Sequence, residues 1–463
     1  MTGASYRPDP AILELGPDYY DPVRAADFPQ AILRFRNQRH AETVGLGDLA
    51  DEDWVRHFGR FAPLPGNLPQ PLALRYHGHQ FRTYNPDIGD GRGFLFAQMR
   101  DGAGRLLDLG TKGSGRTPYS RFGDGRLTLK GGVREVLATE MLEALGVHTS
   151  KSFSLIETGE ALTRGDEPSP TRSSVLVRLS HSHIRYGTFQ RLAYLKQLDA
   201  IPPLARYCLR HFVGGTHDDP CAALMDHAVA GAARLAASWR AAGFVHGVLN
   251  SDNINITGES FDYGPWRFAP RWDDSFTAAY FDNFGLYSFG RQAEALQWNL
   301  HQLALALRTV AEPESLIPAL KTFPERYEAA LAERYLWRLG VKPQDAKSDE
   351  ALALAIEAAL GASDIAPDRF WFDWRGGRRR GPSTADPIYD TAPFGAFRTA
   401  VSAYTSTDDC AHPYWSDPAP CTMLIDEVEA IWKPIDEADD WSTFNTKIAA
   451  VRRMGEAYAS SRS

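Results

Sequence analysis

HGVLNSDNINITGESFDYGP, residues 246–265, decides how this chain of 463 residues is read. It holds the pair Asp252-Asn253 and, further on, Asp262-Tyr263-Gly264. A carboxylate and a short amide are hard oxygen donors. Mg²⁺ keeps several of its waters and needs only one or two such side chains. Asn and Asp also favour turns for backbone reasons alone, as do Gly264 and Pro265. Taken by itself, the stretch is better read as a turn.

Working upstream changes that balance. RGFLFAQM (92–99) and RLLDLGTK (105–112) predict two strands joined by a short turn, and SSVLVRLS (173–180) predicts another. Between them, GGVREVLATEMLEALGV (131–147) repeats Val133, Val136, Leu137, Met141 and Leu145 at steps of three and four, an amphipathic helix. Lys112 ends a strand and Glu135 lies on the helix that follows. A strand lysine paired with a glutamate from the next helix is the protein-kinase device for orienting phosphates. Two glycine clusters flank Lys112, DIGDGRG (87–93) and FGDGR (122–126). Glycine lets backbone N–H groups approach phosphate oxygens, although a lone Gly-x-Gly usually marks a hairpin. Arg178 and Arg185, in VRLSHSHIRYG, suit phosphate through their planar forks, or equally salt bridges to acidic neighbours. His77, His79, His181 and His183 show paired spacing but no third ligand, so hydrogen-bonding roles are expected.

Downstream the chain turns helical: 227–243, which ends at Gly243, 286–310, two more helices within 315–361, and a polar tail over 422–463. The run Arg378–Arg380 reads as a solvated basic loop. The expected fold class is α+β, a protein-kinase-like two-lobed fold. It divides as an N-terminal extension (1–65) docking Trp54, Phe58 and Phe61 on the body, a β-rich nucleotide-binding lobe (66–190), a helical catalytic lobe (191–400) and a helical C-terminal extension (401–463). A net charge of −8 argues against nucleic acid or acidic membrane as the main partner. Four scattered cysteines, no secretory signal and no run of eighteen apolar residues lead to the expectation of a cytoplasmic, monomeric protein.

Laid on His246 and Asn253, the kinase catalytic loop puts Val248 where its catalytic Asp stands. Valine cannot take a proton. The motifs YHGHQF, IGDGR, KGSGRTPYSRFGDGR with the following VRE, SHIRYGTF and the opening stretch together resemble the selenoprotein O (YdiU) family of kinase-like protein adenylyltransferases. The resemblance is dense from about 70 to 300. Gly131 and Gly132 stand where serines are usual in that family, which bears on the placement of Glu135.

The resemblance implies ATP bound in reverse and AMP, not phosphate, transferred to Ser, Thr or Tyr hydroxyls of proteins. It implies that Gly89, Gly91, Arg92, Lys112, Asp124, Gly125, Arg178, Arg185 and Asp262 contact the nucleotide. It further implies that Glu135 pairs with Lys112, that Asn253 and Asp262 hold Mg²⁺ (or Mn²⁺), and that Asp252 accepts the proton. The alternatives are a small-molecule or protein kinase moving the γ-phosphate, which lacks its base here, and a noncatalytic nucleotide-binding scaffold, which has no need of both metal ligands.

Overall fold

The strands of the first half form one curled sheet because their apolar residues are covered on both faces. Labelled in chain order they are β1 (Tyr20–Pro22), β2 (Ile32–Arg36), β3 (Leu72–Leu74), β4 (Gly78–Gln80), β5 (Thr83–Asn85), β6 (Leu95–Arg100), β7 (Leu106–Lys112), β8 (Leu127–Thr128), β9 (Lys151–Leu162) and β10 (Thr171–Ser180). The sheet runs β1-β3-β6-β7-β10-β9-β2, with β8 paired to β10, while β4 and β5 make a separate hairpin. Every residue of β7 is buried, as a strand sandwiched between two layers requires. The computed structural model describes residues 4–165, 167–407 and 409–459.

The helix Leu129–Ala144 lies against β9 and β10. Thr128 caps it by accepting from Gly131 N–H at 3.1 Å. The double glycine does not disturb it. A Cβ on Gly132 would come within 2.4 Å of Leu155 Cδ1 and 2.7 Å of Ser174 Oγ, so glycine is what lets the helix sit this close to the sheet. The second half is helical, built round Pro220–Ala242, which ends on Gly243 in the left-handed conformation, and Gln292–Leu307. The stretch 246–265 crosses between these two helices, flanked by the short pair β11 (Phe244–Val245) and β12 (Arg267–Phe268). The architecture is a kinase-like α+β fold with a sheet lobe and a helical lobe.

Several expectations are revised. Residues 1–65 do bury Trp54, Phe58 and Phe61; Trp54 stacks on Phe153 at 4.9 Å and donates from Nε1 to Ser154 Oγ at 2.9 Å. They are nevertheless more than an appendage, since β1 and β2 are the two ends of the sheet. β9, twelve residues long, was not foreseen. Residues 313–361 carry three helices rather than two, Pro313–Lys321, Phe323–Leu339 and Ala346–Gly361. Of the arginine run only Arg378 is exposed. Arg379 is held by Asp390, and Arg380 lies 4.2 Å over Phe372 while donating to its carbonyl at 2.7 Å. The tail forms Ile425–Ala438 and Ser442–Ala459, and these fold back onto the sheet lobe. Arg452 grips Glu140 with two 2.8 Å hydrogen bonds, and Lys130 meets Glu429 at 2.7 Å.

Candidate functional site

The cleft between the lobes is built from the ends of strands. Lys112 closes β7 and is 4% exposed. Its ammonium lies 2.5 Å from Glu135 Oε1 and 2.7 Å from Asp262 Oδ1. Arg178, near the end of β10, reaches the same Asp262 oxygen at 3.3 Å. Arg185 is clamped between the Tyr76 and Phe261 rings, 4.2 and 4.9 Å from their centres. It donates to Asp90 Oδ1 at 3.1 Å and to the Asp252 carbonyl at 2.9 Å. Lys112, Asp262 and Arg178 are thus joined in one network that Glu135 supports from behind, and Arg185 is held beside it by Asp90 and the Asp252 carbonyl.

Gly89, Gly91, Arg92, Lys112, Asp124, Gly125, Arg178, Arg185, Asp252 and Asp262 all line one cleft of about 640 Å³. Glu135 and Asn253 do not line it. Asn253 Nδ2 donates to the Val248 carbonyl at 3.1 Å, which leaves Oδ1 as its acceptor. Both glycine loops pack closely against the segment 115–120. A Cβ on Gly89 would meet the Tyr119 ring at 2.5 Å, and Gly125, at φ +71°, would meet Gly115 O at 2.2 Å. Asp124 is salt-bridged to Arg164 at 2.8 Å, which places it at the cleft wall through a partner that sequence reasoning missed.

Other cleft residues were also missed: Tyr76, Gln80, Arg121 and Arg126, and Asp90, which orients Arg185. Asp90 and Arg126 lie inside glycine motifs already quoted, so a charge within a Gly-x-Gly loop was the available signal. The histidine pairs make local bonds. His77 Nδ1 meets Tyr84 OH at 2.9 Å, His79 Nδ1 meets Gln190 Nε2 at 2.8 Å, and His183 Nδ1 meets Asp108 Oδ2 at 3.2 Å. His181 packs its ring against Phe212 at 5.4 Å.

The two cleft carboxylates are pushed apart. Burial raises the Asp252 carboxyl to about 6, against the pull of Arg185. Burial would raise Asp262 as well, but Lys112, Arg178, Arg92 and Arg185 outweigh it and hold that carboxyl well below the usual range. Asp262 adopts φ +63°, uncommon for a residue with a side chain. Asp252 Oδ1 is buried with no hydrogen-bond partner among the described residues.

The β4–β5 hairpin fixes the loop that carries Asp252. His79 N–H donates to Ser251 Oγ at 2.8 Å, and Phe81 N–H donates to Asn250 Oδ1 at 3.0 Å. Gly78 lets the hairpin sit tightly on this loop, because a Cβ there would stand 3.0 Å from Asp252 Oδ1. Chemically the site offers a cationic wall suited to a polyphosphate, a low-pKa carboxylate, Asp262, suited to a hard cation, and a second carboxylate, Asp252, raised by burial to about 6.

Residues 4–380 match the model of the family described as "Protein adenylyltransferase SelO". The chain is 45% identical over 461 residues to the protein nucleotidyltransferase YdiU of Gloeobacter violaceus, covering 96% of this chain and 95% of that protein. It is 42% identical over 477 aligned residues to the YdiU of Trichormus variabilis, covering 96% of each. Against the YdiU of Synechococcus elongatus it is 50% identical over 368 residues, covering 77% of this chain and 74% of that one.

Proposed function

The chain belongs to the SelO (YdiU) family of protein nucleotidyltransferases, and on that premise we propose that it transfers AMP from ATP to Ser, Thr or Tyr hydroxyls of proteins, with Asp252 as the base. The observation that carries this reading is the cleft in which Lys112, Arg178 and Arg185 converge beside two carboxylates of opposed acidity. Divergent acidity in neighbouring carboxylates is how acid–base and electrostatic roles are divided.

In this reading Lys112, Arg178 and Arg185 hold the β- and γ-phosphates, with Arg92 and the glycine loop backbone alongside. The acceptor hydroxyl oxygen attacks the α-phosphorus and its proton passes to the Asp252 carboxylate. The bond from the α-phosphorus to its bridging oxygen breaks, and pyrophosphate leaves with its charge already countered by the lysine and arginines. Among the described residues Asp252 Oδ1 has no hydrogen-bond partner, so that oxygen is available to take the proton. Asp262, whose carboxylate lines the cleft, and Asn253, which lies behind the lining and whose Nδ2 is taken by the Val248 carbonyl so that Oδ1 is left as donor atom, are the residues that would hold Mg²⁺ or Mn²⁺. When bound, the ion neutralises phosphate charge.

A kinase reading would need a base at Val248, whose side chain has none. Among the described residues no helix is long and apolar enough to cross a membrane. We infer a cytoplasmic monomer. The test is incubation with Mg²⁺ and ATP labelled at the α- or the γ-phosphorus. Label from α alone on protein is the expected result; label from γ alone would overturn the reading.

A further inference from the structure

We propose that the loop 276–287 is the docking surface for the acceptor protein, with Tyr280, Phe281 and Phe284 receiving apolar side chains that flank the modified hydroxyl. The proposal rests on the transfer reading above and names the partner surface of that site.

Tyr280, Phe281 and Phe284 are 83%, 43% and 94% exposed. Single exposed hydrophobics are ordinary, whereas a cluster marks an interaction surface. Among the described residues no other segment exposes three large hydrophobics within five positions. The loop is held in shape, not slack. The buried Asp282 carboxylate accepts from Leu286 N–H and Tyr287 N–H, both at 2.8 Å, and Phe289 N–H donates to Phe276 O at 2.9 Å. Rigid aromatics on a fixed loop offer contact area at a low cost in conformational entropy.

The cluster is continuous with the cleft. Phe281 packs edge-on to Tyr280 at 5.1 Å and to Phe81 at 5.8 Å. Phe81 adjoins Gln80, a wall of the cleft. Phe81 N–H and Tyr287 OH both donate to Asn250 Oδ1, at 3.0 and 2.9 Å, two residues before Asp252. From Gly78, against Asp252, to Phe81 is at most ~10 Å of extended chain. The ring contact then adds 5.8 Å. A polypeptide with its hydroxyl at Asp252 therefore reaches Phe281 within about five extended residues. A lid would require the freedom that the Asp282 bonds remove.

The test uses the full chain and the double variant Tyr280→Ser/Phe284→Ser, whose positions are exposed enough to leave the fold intact. The probes are synthetic peptide libraries with one central Ser, Thr or Tyr and every flanking position varied, offered with Mg²⁺ and α-labelled ATP. Wild type is expected to prefer Leu, Met, Phe or Trp within five positions of the acceptor by about tenfold, and the variant to lose that preference. Affinity for a fluorescent ATP analogue should be unchanged. Polarisation of fluorescein-labelled peptides reads docking without transfer. If wild type labels nothing yet still binds apolar-flanked peptides, the transfer reading fails and the docking surface stands. A flat preference in wild type overturns the proposal, as does a preference kept by the variant. It is also overturned by weakened nucleotide binding in the variant, which would mark a lid, or by a wild-type dimer that the variant abolishes, which would mark a self-association face.

Discussion

Gly78→Ala is the smallest change that should separate placement of the base from binding of the nucleotide. Gly78 pairs with Asn85 at the start of the β4–β5 hairpin, and its backbone is not in the left-handed region. Alanine is therefore conformationally acceptable there, and the only new cost is contact. The added Cβ would stand 3.0 Å from Asp252 Oδ1 and 3.1 Å from both its Cβ and its backbone nitrogen, against 3.4–4 Å for ordinary contact. A backbone nitrogen cannot swing aside, so hairpin and loop must separate by about half an ångström. Misplacing a reacting group by ~1 Å can cost ~100-fold, so half that displacement costs about tenfold, ~1.4 kcal/mol of barrier. Overpacking of this kind destabilises by about 1–3 kcal/mol. At ~2.1 cal/mol/K per residue a chain of this size has an unfolding entropy of about 1 kcal/mol/K, so the melting midpoint should fall only ~1–3 °C. The assay is kcat for transfer from α-labelled ATP, beside nucleotide affinity and calorimetry. A midpoint that falls with kcat within twofold of wild type would falsify the claim that the hairpin sets the position of Asp252. An equal collapse of ATP affinity would assign the effect to the wall at Gln80 instead.

Lys112→Met leaves Glu135 and Asp262 facing each other in a buried site, so urea unfolding should show a loss of about 3–5 kcal/mol; Lys112→Met/Glu135→Gln should regain part of that stability and none of the transfer. Glu259 is raised by burial to about 7 from 4.5, so the folded state holds its proton more tightly than the unfolded chain does, and stability is lost as pH rises through that window. At ~1.4 kcal/mol per pH unit this costs up to about 3 kcal/mol at pH 8; Glu259→Gln should be the more stable protein by that amount at pH 8 and equal to wild type near pH 4, and a calorimetric difference independent of pH would refute the assignment. Arg452→Ala removes the two-pronged grip on Glu140, which keeps Asn37 Nδ2 at 3.1 Å and Arg39 at 3.4 Å. The loss should therefore be about 1–3 kcal/mol rather than the full cost of an orphaned buried charge, with transfer reduced because the same helix carries Glu135; unchanged urea stability would show the tail to be a passive cover.

Lys112, Glu135, Arg178 and Arg185 were legible because each sits on, or next to the end of, an element whose local pattern is strong, whereas Asp262 lies in a loop and was read only once those residues and the motif spacing were set beside it. β9 was not legible. It carries Ser152, Ser154 and Thr158, all buried, and they read as polar until their partners are known: Thr139 Oγ1 for Ser152 at 2.9 Å and Trp54 Nε1 for Ser154 at 2.9 Å. β1 is three residues long and β2 contains two arginines, so neither shows an apolar alternation. The arginine run looked solvated because Trp415, which lies under Arg380 at 5.3 Å, is distant in sequence. The return of the tail onto the sheet lobe rests on ion pairs such as Glu140 with Arg452, and no local window can register those. Legibility stopped where polar groups are satisfied by remote partners.

The stretch 246–265 is where those remote partners converge, and its bonds bear on the choice between decay and reuse. His246 Nε2 meets the Phe261 carbonyl at 2.9 Å, which ties the two ends of the loop and fixes Asp252 relative to Asp262. Asn250 holds the hairpin and Tyr287, Ser251 holds His79, Asn253 holds Val248, and Asn255 donates to Ser182 O at 2.5 Å. Val248 thus contributes its carbonyl to the loop and has no need of a carboxylate. Asp252, by contrast, is 8% exposed and keeps Oδ1 without a partner. An unsatisfied buried acceptor costs ~1–3 kcal/mol, more when charged. A loop serving only as scaffold could relieve that cost by Asp252→Leu or Asp252→Ala without touching any of the bonds above. A buried acceptor kept without a hydrogen bond at this point of the loop is what the proposed transfer asks of Asp252, a free oxygen to take the proton.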